Sequence, residues 1–185
     1  SPTYFGENRF QKPILFYWFI LMAYKFLGVN WFAARLVSAL FASLCLCFIY
    51  HISRQFFSNK ASIMSVFILG SGALFLRHAK NAVPDMALNF FIIASIYFAL
   101  DYIYHPKKQA SNILFYLMSA LGFMVKGIAA LVVPFGVILG FLLCTGKKEV
   151  IKEFHFGRGF FLLCLVVLPW FIYMYFMHGS GYMEY

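Results

Sequence analysis

Six long apolar runs, each closed off by a polar turn, restrict this chain more than any other feature. They cover residues 31–52, 61–76, 86–104, 111–125, 127–144 and 159–176. About 20 apolar residues in helical form cross the hydrocarbon core of a bilayer. No water reaches that layer, so a crossing segment must pair its backbone groups internally. The runs therefore predict an all-α fold, a polytopic transmembrane helical bundle of about six spans. Composition agrees: the chain is 63% hydrophobic and only 11% charged, against about a half and a quarter in soluble domains. Its formal charge of +9 rests on few charged side chains. That excludes a nucleic-acid surface and suits anionic headgroups or a phosphorylated ligand.

Two segments depart from the span pattern. Residues 1–13 read as a polar, non-cytoplasmic loop closed by Lys12-Pro13. Residues 14–27 are apolar and aromatic but too short to cross, and carry Lys25. They predict one interfacial helix. The run 61–76 would rise only about 24 Å at ~1.5 Å per residue, less than the ~30 Å of hydrocarbon. A recessed polar loop at Arg77, or extension through Phe56 and Phe57, would reconcile the two. Gly70-Ser-Gly72 within it suggests a bend or a close backbone contact. Cys45, Cys47, Cys144 and Cys164 all lie in apolar runs without metal-ligand spacing, and read as packing residues. The chain opens at Ser1 without a signal segment and reads as part of a longer polytopic protein.

The polar groups collect at the turns. Arg77-His-Ala-Lys-Asn-Ala-Val-Pro-Asp85 puts two cations, a histidine and a carboxylate within nine residues. Asp85 follows Pro84 and opens a helix, where a carboxylate suits the positive end of the dipole. Asp101, near the other end of that helix, reads as a solvated or lysine-paired interface residue. With six alternating spans, Arg54, Lys60, Lys107, Lys108, Lys147, Lys148, Lys152 and Arg158 share one side. Arg9, Lys12, Arg77, Lys80 and Lys126 share the other. The excess of eight over five places the first set in the cytoplasm. The second set sits in tight turns close to the helix ends, and Asp85 is on that side too. Recessed cations with one helix-starting carboxylate suit a phosphate-bearing ligand and proton transfer.

Five motifs in order carry a resemblance. They are Phe10-Gln-Lys12-Pro13-Ile-Leu-Phe-Tyr-Trp18; Ala34-Arg35-Leu-Val-Ser38; Ala82-Val-Pro-Asp85-Met-Ala-Leu; Gly122-Phe-Met-Val-Lys126-Gly127 with Pro134; and Pro169-Trp170. The chain resembles the membrane domain of GT-C-type glycosyltransferases, in the superfamily of protein O-mannosyltransferase-like and lipid A aminoarabinose transferase-like proteins. Ile14 and Ile128 stand where the family usually has proline, and both changes keep the preceding lysine. The family's first acidic motif would lie upstream of Ser1.

The resemblance implies a membrane enzyme that moves a sugar from a polyprenyl-phosphate carrier to a lipid, glycan or protein acceptor on the non-cytoplasmic face. It implies a bacterial inner-membrane location with the active site toward the periplasm or exterior. Asp85 matches the family's second acidic position, which implies an acceptor-orienting or metal-binding role. Whether a divalent metal ion takes part is not legible in the sequence. Lys12 is the first candidate for the carrier phosphate. Arg77, Lys80 and Lys126 are weaker candidates, and Lys126 also reads as a snorkelling turn residue. His78 and His178 are loop histidines without a partner pattern. A polytopic transporter of lipid-linked substrates would show internal repeats and mid-helix polar groups, and the sequence shows neither. A non-catalytic membrane subunit is the third reading, given that the first acidic motif lies outside the chain.

Overall fold

The computed structural model describes residues 13–147, 149–150 and 154–178, with the backbone of two short strands near the N-terminus. Those strands, Thr3–Tyr4 and Glu7–Asn8, pair antiparallel with Thr3 opposite Asn8. Lys12, Lys148 and the side chain of His178 lie outside the described residues.

The rest of the described chain is helical. The elements are α1 (Leu15–Leu27), α2 (Trp31–Phe56), α3 (Asn59–Gly70), α4 (Ala73–Lys80), α5 (Asp85–Tyr104), α6 (Gln109–Lys126), α7 (Ala129–Cys144) and α8 (Phe156–His178). Polar caps set two of the starts. Asn30 accepts from the Ala33 amide at 2.8 Å, and Ser58 from the Ala61 amide at 3.4 Å. Each satisfies a helix-terminal amide that has no partner within the helix.

Three helices are long and apolar enough to cross a bilayer: α2, α5 and residues 156–177 of α8. The α3–α4 pair qualifies only as a unit and is bent by 65° at its break. By length and composition the described residues thus give three or four spans. The six-run count also takes in α6, 18 residues with Gln109 and Asn112 in its first turn, and α7, 16 residues. The bend also corrects the local reading of the sequence. Arg77, His78 and Lys80 form the last turn of α4 rather than a loop, because the chain restarts a helix after Gly72.

α5 is the centre of the bundle. It packs on α2, α6 and α7. The apolar cluster at one end joins Met86, Ala87 and Phe91 of α5 to Val37 and Phe41 of α2 and to Ala120, Met124 and Val125 of α6. Ile14, Leu15 and Phe16 close it from the start of α1. Ser38 and Ala42, the small pair four apart on α2, are buried, whereas Ala39 and Ser43 are exposed. Small side chains thus line the contact face, as close helix approach requires. The cluster at the other end is built on Leu100, Tyr102, Phe115, Ile138 and Phe154. There Asp101 ties the α5–α6 turn together. It accepts from Lys108 at 3.1 Å and from the Ser111 hydroxyl at 2.5 Å, and His105 lies 3.1 Å away.

The contact of α6 with α8 depends on a missing side chain. A Cβ at Gly159 would lie 2.1 Å from the Tyr116 ring. The Tyr116 hydroxyl donates to the Phe154 carbonyl at 2.8 Å, which limits how far the ring can swing. We expect Gly159→Ala to destabilise the protein by roughly 1–3 kcal/mol, the cost of overpacking. The readout is its thermal midpoint in detergent. In a Tyr116→Ala background the same change should cost little. A wild-type midpoint for Gly159→Ala alone would contradict this packing.

Candidate functional site

Two helix ends build the site. α5 and α6 are neighbours of nearly equal length, joined by the short turn 105–108. The first residue of α5 therefore returns to the level of the last residue of α6. Asp85 sits in the first turn of α5, and Lys126 in the last turn of α6. Each charge stands at the dipole end that favours it. The Lys126 Nζ donates to Asp85 Oδ1. His78 Nδ1, from the last turn of α4, lies 3.5 Å from Asp85 Oδ2. Lys126 thus holds one carboxylate oxygen, and His78 stands beside the other.

Local backbone features hold this arrangement. Gly127 follows Lys126 at φ +83° and donates its amide to the Phe123 carbonyl at 2.7 Å, ending α6 there. Only glycine takes this conformation without steric cost. One turn earlier, a Cβ at Gly122 would lie 2.8 Å from Ala130 Cβ and 3.0 Å from Phe91 Cβ. This close approach of α5, α6 and α7 brings the end of α6 against the start of α5. The turn before Asp85 is pinned from α2, where the buried Ser38 hydroxyl donates to the Val83 carbonyl at 3.3 Å. Ser38 is seven residues into α2, about 10 Å along its axis at ~1.5 Å per residue. The site is recessed below the start of that helix.

Its exposure says what the ion pair does. Asp85 is 30% and Lys126 40% exposed. Pairs this open add at most about 1 kcal/mol to stability. The polar groups therefore remain open to a ligand, and the ammonium has three donors to share among partners.

The sequence-derived candidates separate here. Asp85 and Lys126 come together, and His78, one of the two loop histidines, joins them. Lys80, two residues on, lines a different cavity with Arg35. Arg77 is exposed and has no carboxylate within ion-pair distance among the described residues. Lys12 lies outside the described residues, although Pro13 and Ile14 lead directly into the core cluster beside Met86. For a metal, Asp85 and His78 supply two donors. Among the described residues no group of three His, Cys, Asp or Glu side chains converges. That donor set does not complete a metal site by itself.

Comparison with known proteins agrees with this architecture. The profile of the family described as "Dolichyl-phosphate-mannose-protein mannosyltransferase" matches residues 11–173. An uncharacterized protein of Aquifex aeolicus is 31% identical over 185 residues, covering 100% of this chain and 37% of that protein. The undecaprenyl phosphate-alpha-4-amino-4-deoxy-L-arabinose arabinosyl transferase 1 of Pseudomonas fluorescens is 26% identical, over 92% of this chain and 32% of its own length. The crystal structure of ArnT from Cupriavidus metallidurans bound to undecaprenyl phosphate superposes with a TM-score of 0.88 at 19% identity. That match covers 97% of this chain and 34% of ArnT. The chain thus spans about a third of the length of the curated relatives it matches. The fold is the polytopic helical one, and the apolar helices are those of an integral membrane protein.

Proposed function

Because the chain belongs to the dolichyl-phosphate-mannose-protein mannosyltransferase family, we propose that it carries part of the active site of a membrane glycosyltransferase. In this reading the protein moves a sugar from a polyprenyl-phosphate carrier to a lipid, glycan or protein acceptor. The site faces the non-cytoplasmic side, the periplasm or exterior of a bacterial inner membrane. The observation that carries the proposal is the Asp85 carboxylate held between Lys126 and His78 at the recessed end of the bundle. A relative bearing an undecaprenyl-phosphate arabinosyl transferase name supports the donor class.

The chemistry is a displacement at the anomeric carbon. An acceptor hydroxyl oxygen bonds to that carbon as the carbon–oxygen bond to the carrier phosphate breaks. The bonding pair leaves with the phosphate, and the hydroxyl proton passes to a base. Charge grows on the departing phosphate, where fixed cations act most strongly. Lys126 fits that task from the end of α6, and the resemblance implies the same task for Lys12. Asp85 orients the acceptor hydroxyl through the oxygen that faces His78. Lys126 can bridge carboxylate and phosphate, so donor binding need not break the ion pair.

The test is release of free polyprenyl phosphate by the full-length protein in liposomes. A polyprenyl-phosphate-linked sugar should support release in the presence of acceptor. Transfer from a nucleotide sugar alone would overturn the donor assignment. Sidedness has its own measurement. In a cysteine-free background, Lys107→Cys should resist an impermeant thiol reagent in intact cells, because the basic asymmetry puts the 105–110 turn in the cytoplasm. Labelling from outside would reverse the topology and put the Asp85 end of the bundle in the cytoplasm.

A further inference from the structure

A cationic cavity apart from the Asp85 site is lined by α2 and α4. It has a volume of about 420 Å³ and is lined by Trp31, Phe32, Arg35 and Leu36 of α2 and by Lys80 at the end of α4. Asp85, Lys126 and His78 are not among its lining residues. Lys80 and His78 are two residues apart, about 200° around the helix at 3.6 residues per turn. α4 therefore presents one basic side chain to each site.

Three observations say what the cavity fits. Arg35 and Lys80 supply two positive charges from two helices, and neither has an ion-pair partner among the described residues. The carboxylates of Asp85 and Asp101 are already engaged elsewhere. Trp31 and Phe32 are 81% and 67% exposed in the first turn of a span. Large aromatics in that position belong to the headgroup level of a membrane interface. Past the cations, Leu36 continues the apolar wall along α2 toward the hydrocarbon. A cation pair beneath an interfacial tryptophan and above an apolar wall is complementary to a lipid with an anionic headgroup.

We propose that Arg35 and Lys80, walled by Trp31 and Phe32, form a binding site for the phosphodiester of an anionic glycerophospholipid of the surrounding bilayer. Arg35 offers the planar fork of donors that matches phosphate oxygens, and Lys80 a point charge beside it. The acyl chains run down past Phe32 and Leu36. The site depends on α2 crossing the membrane and is independent of the transferase reading.

Trp31 provides the readout. The full-length protein, with every other tryptophan replaced by phenylalanine, is placed in phosphatidylcholine nanodiscs. These contain a small fraction of lipid brominated on the acyl chains near the headgroup. Brominated phosphatidylglycerol should quench Trp31 at about a tenth of the mole fraction that brominated phosphatidylcholine requires, on the scale of two basic side chains at an anionic lipid. Arg35→Gln with Lys80→Gln should abolish the preference. Lys80→Gln alone, at an exposed helix end, should reduce it even if the double variant inserts poorly. Equal quenching by the two lipids would overturn the proposal. So would displacement of phosphatidylglycerol by inorganic phosphate, which would mark a free-anion site. Displacement by undecaprenyl phosphate at a lower mole fraction would also overturn it, by assigning the cavity to the carrier.

Discussion

Asp85→Asn is expected to lower transfer by the full-length protein roughly 100-fold or more while leaving donor binding nearly intact. The magnitude is that of a lost acid–base or orienting group. Asparagine keeps the shape and one carbonyl acceptor. It loses the charge that pairs with Lys126 and that the proposed reaction uses to hold an acceptor hydroxyl. The packing around the site should survive, because Met86, Ala87 and Phe91 carry the apolar contacts of this end of α5. The measurement is donor binding and single-turnover release on one preparation, with membrane insertion confirmed. A near wild-type rate would remove Asp85 from the site.

Lys126→Gln is expected to act differently. It removes the cation proposed to stabilise the growing phosphate charge, and among the described residues it leaves Asp85 facing His78 alone. A charge-assisted hydrogen bond contributes roughly 1.5–3 kcal/mol. That corresponds to about tenfold to hundredfold in donor affinity, at ~1.4 kcal/mol per factor of ten. Turnover should fall as well, since the same contact strengthens as the carrier departs. Lys126→Arg keeps the charge and should restore part of both losses. If Lys126→Gln binds donor as tightly as wild type, the lysine is a membrane-surface residue and the phosphate site lies elsewhere.

The helices were readable because membrane segments announce themselves by length and by polar punctuation. The start of α5 followed from Pro84-Asp85, and the bend between α3 and α4 was one of two readings of Gly70-Ser-Gly72. The partners of Asp85 were harder to see. Lys126 is 41 residues away, and sequence spacing gives no contact at that distance. A usable signal was present nonetheless: two helices of nearly equal length on a short turn bring their outer ends together. His78 was obscured by a different cause. With residues 77–85 read as a loop, its direction was undefined, whereas the last turn of a helix brings it to Asp85. Lys80 shows the converse. Proximity in sequence to Asp85 suggested a shared ligand, yet the turn of α4 carries it to the cavity of Arg35. Gly136 and Gly140, four residues apart on α7, make a GxxxG pattern, yet a Cβ at either position would meet nothing within 4 Å among the described residues. That pattern registers small residues and not the presence of a partner.

The central claim is that Asp85 and Lys126 act as one unit on a polyprenyl-phosphate-linked sugar. A double-mutant cycle on single-turnover release of the carrier phosphate by the full-length protein tests it most directly. Residues that act as a unit give non-additive losses. Asp85→Asn combined with Lys126→Gln should therefore be about as slow as the slower single variant. Losses that multiply, or single variants that release the carrier at the wild-type rate, would contradict the account.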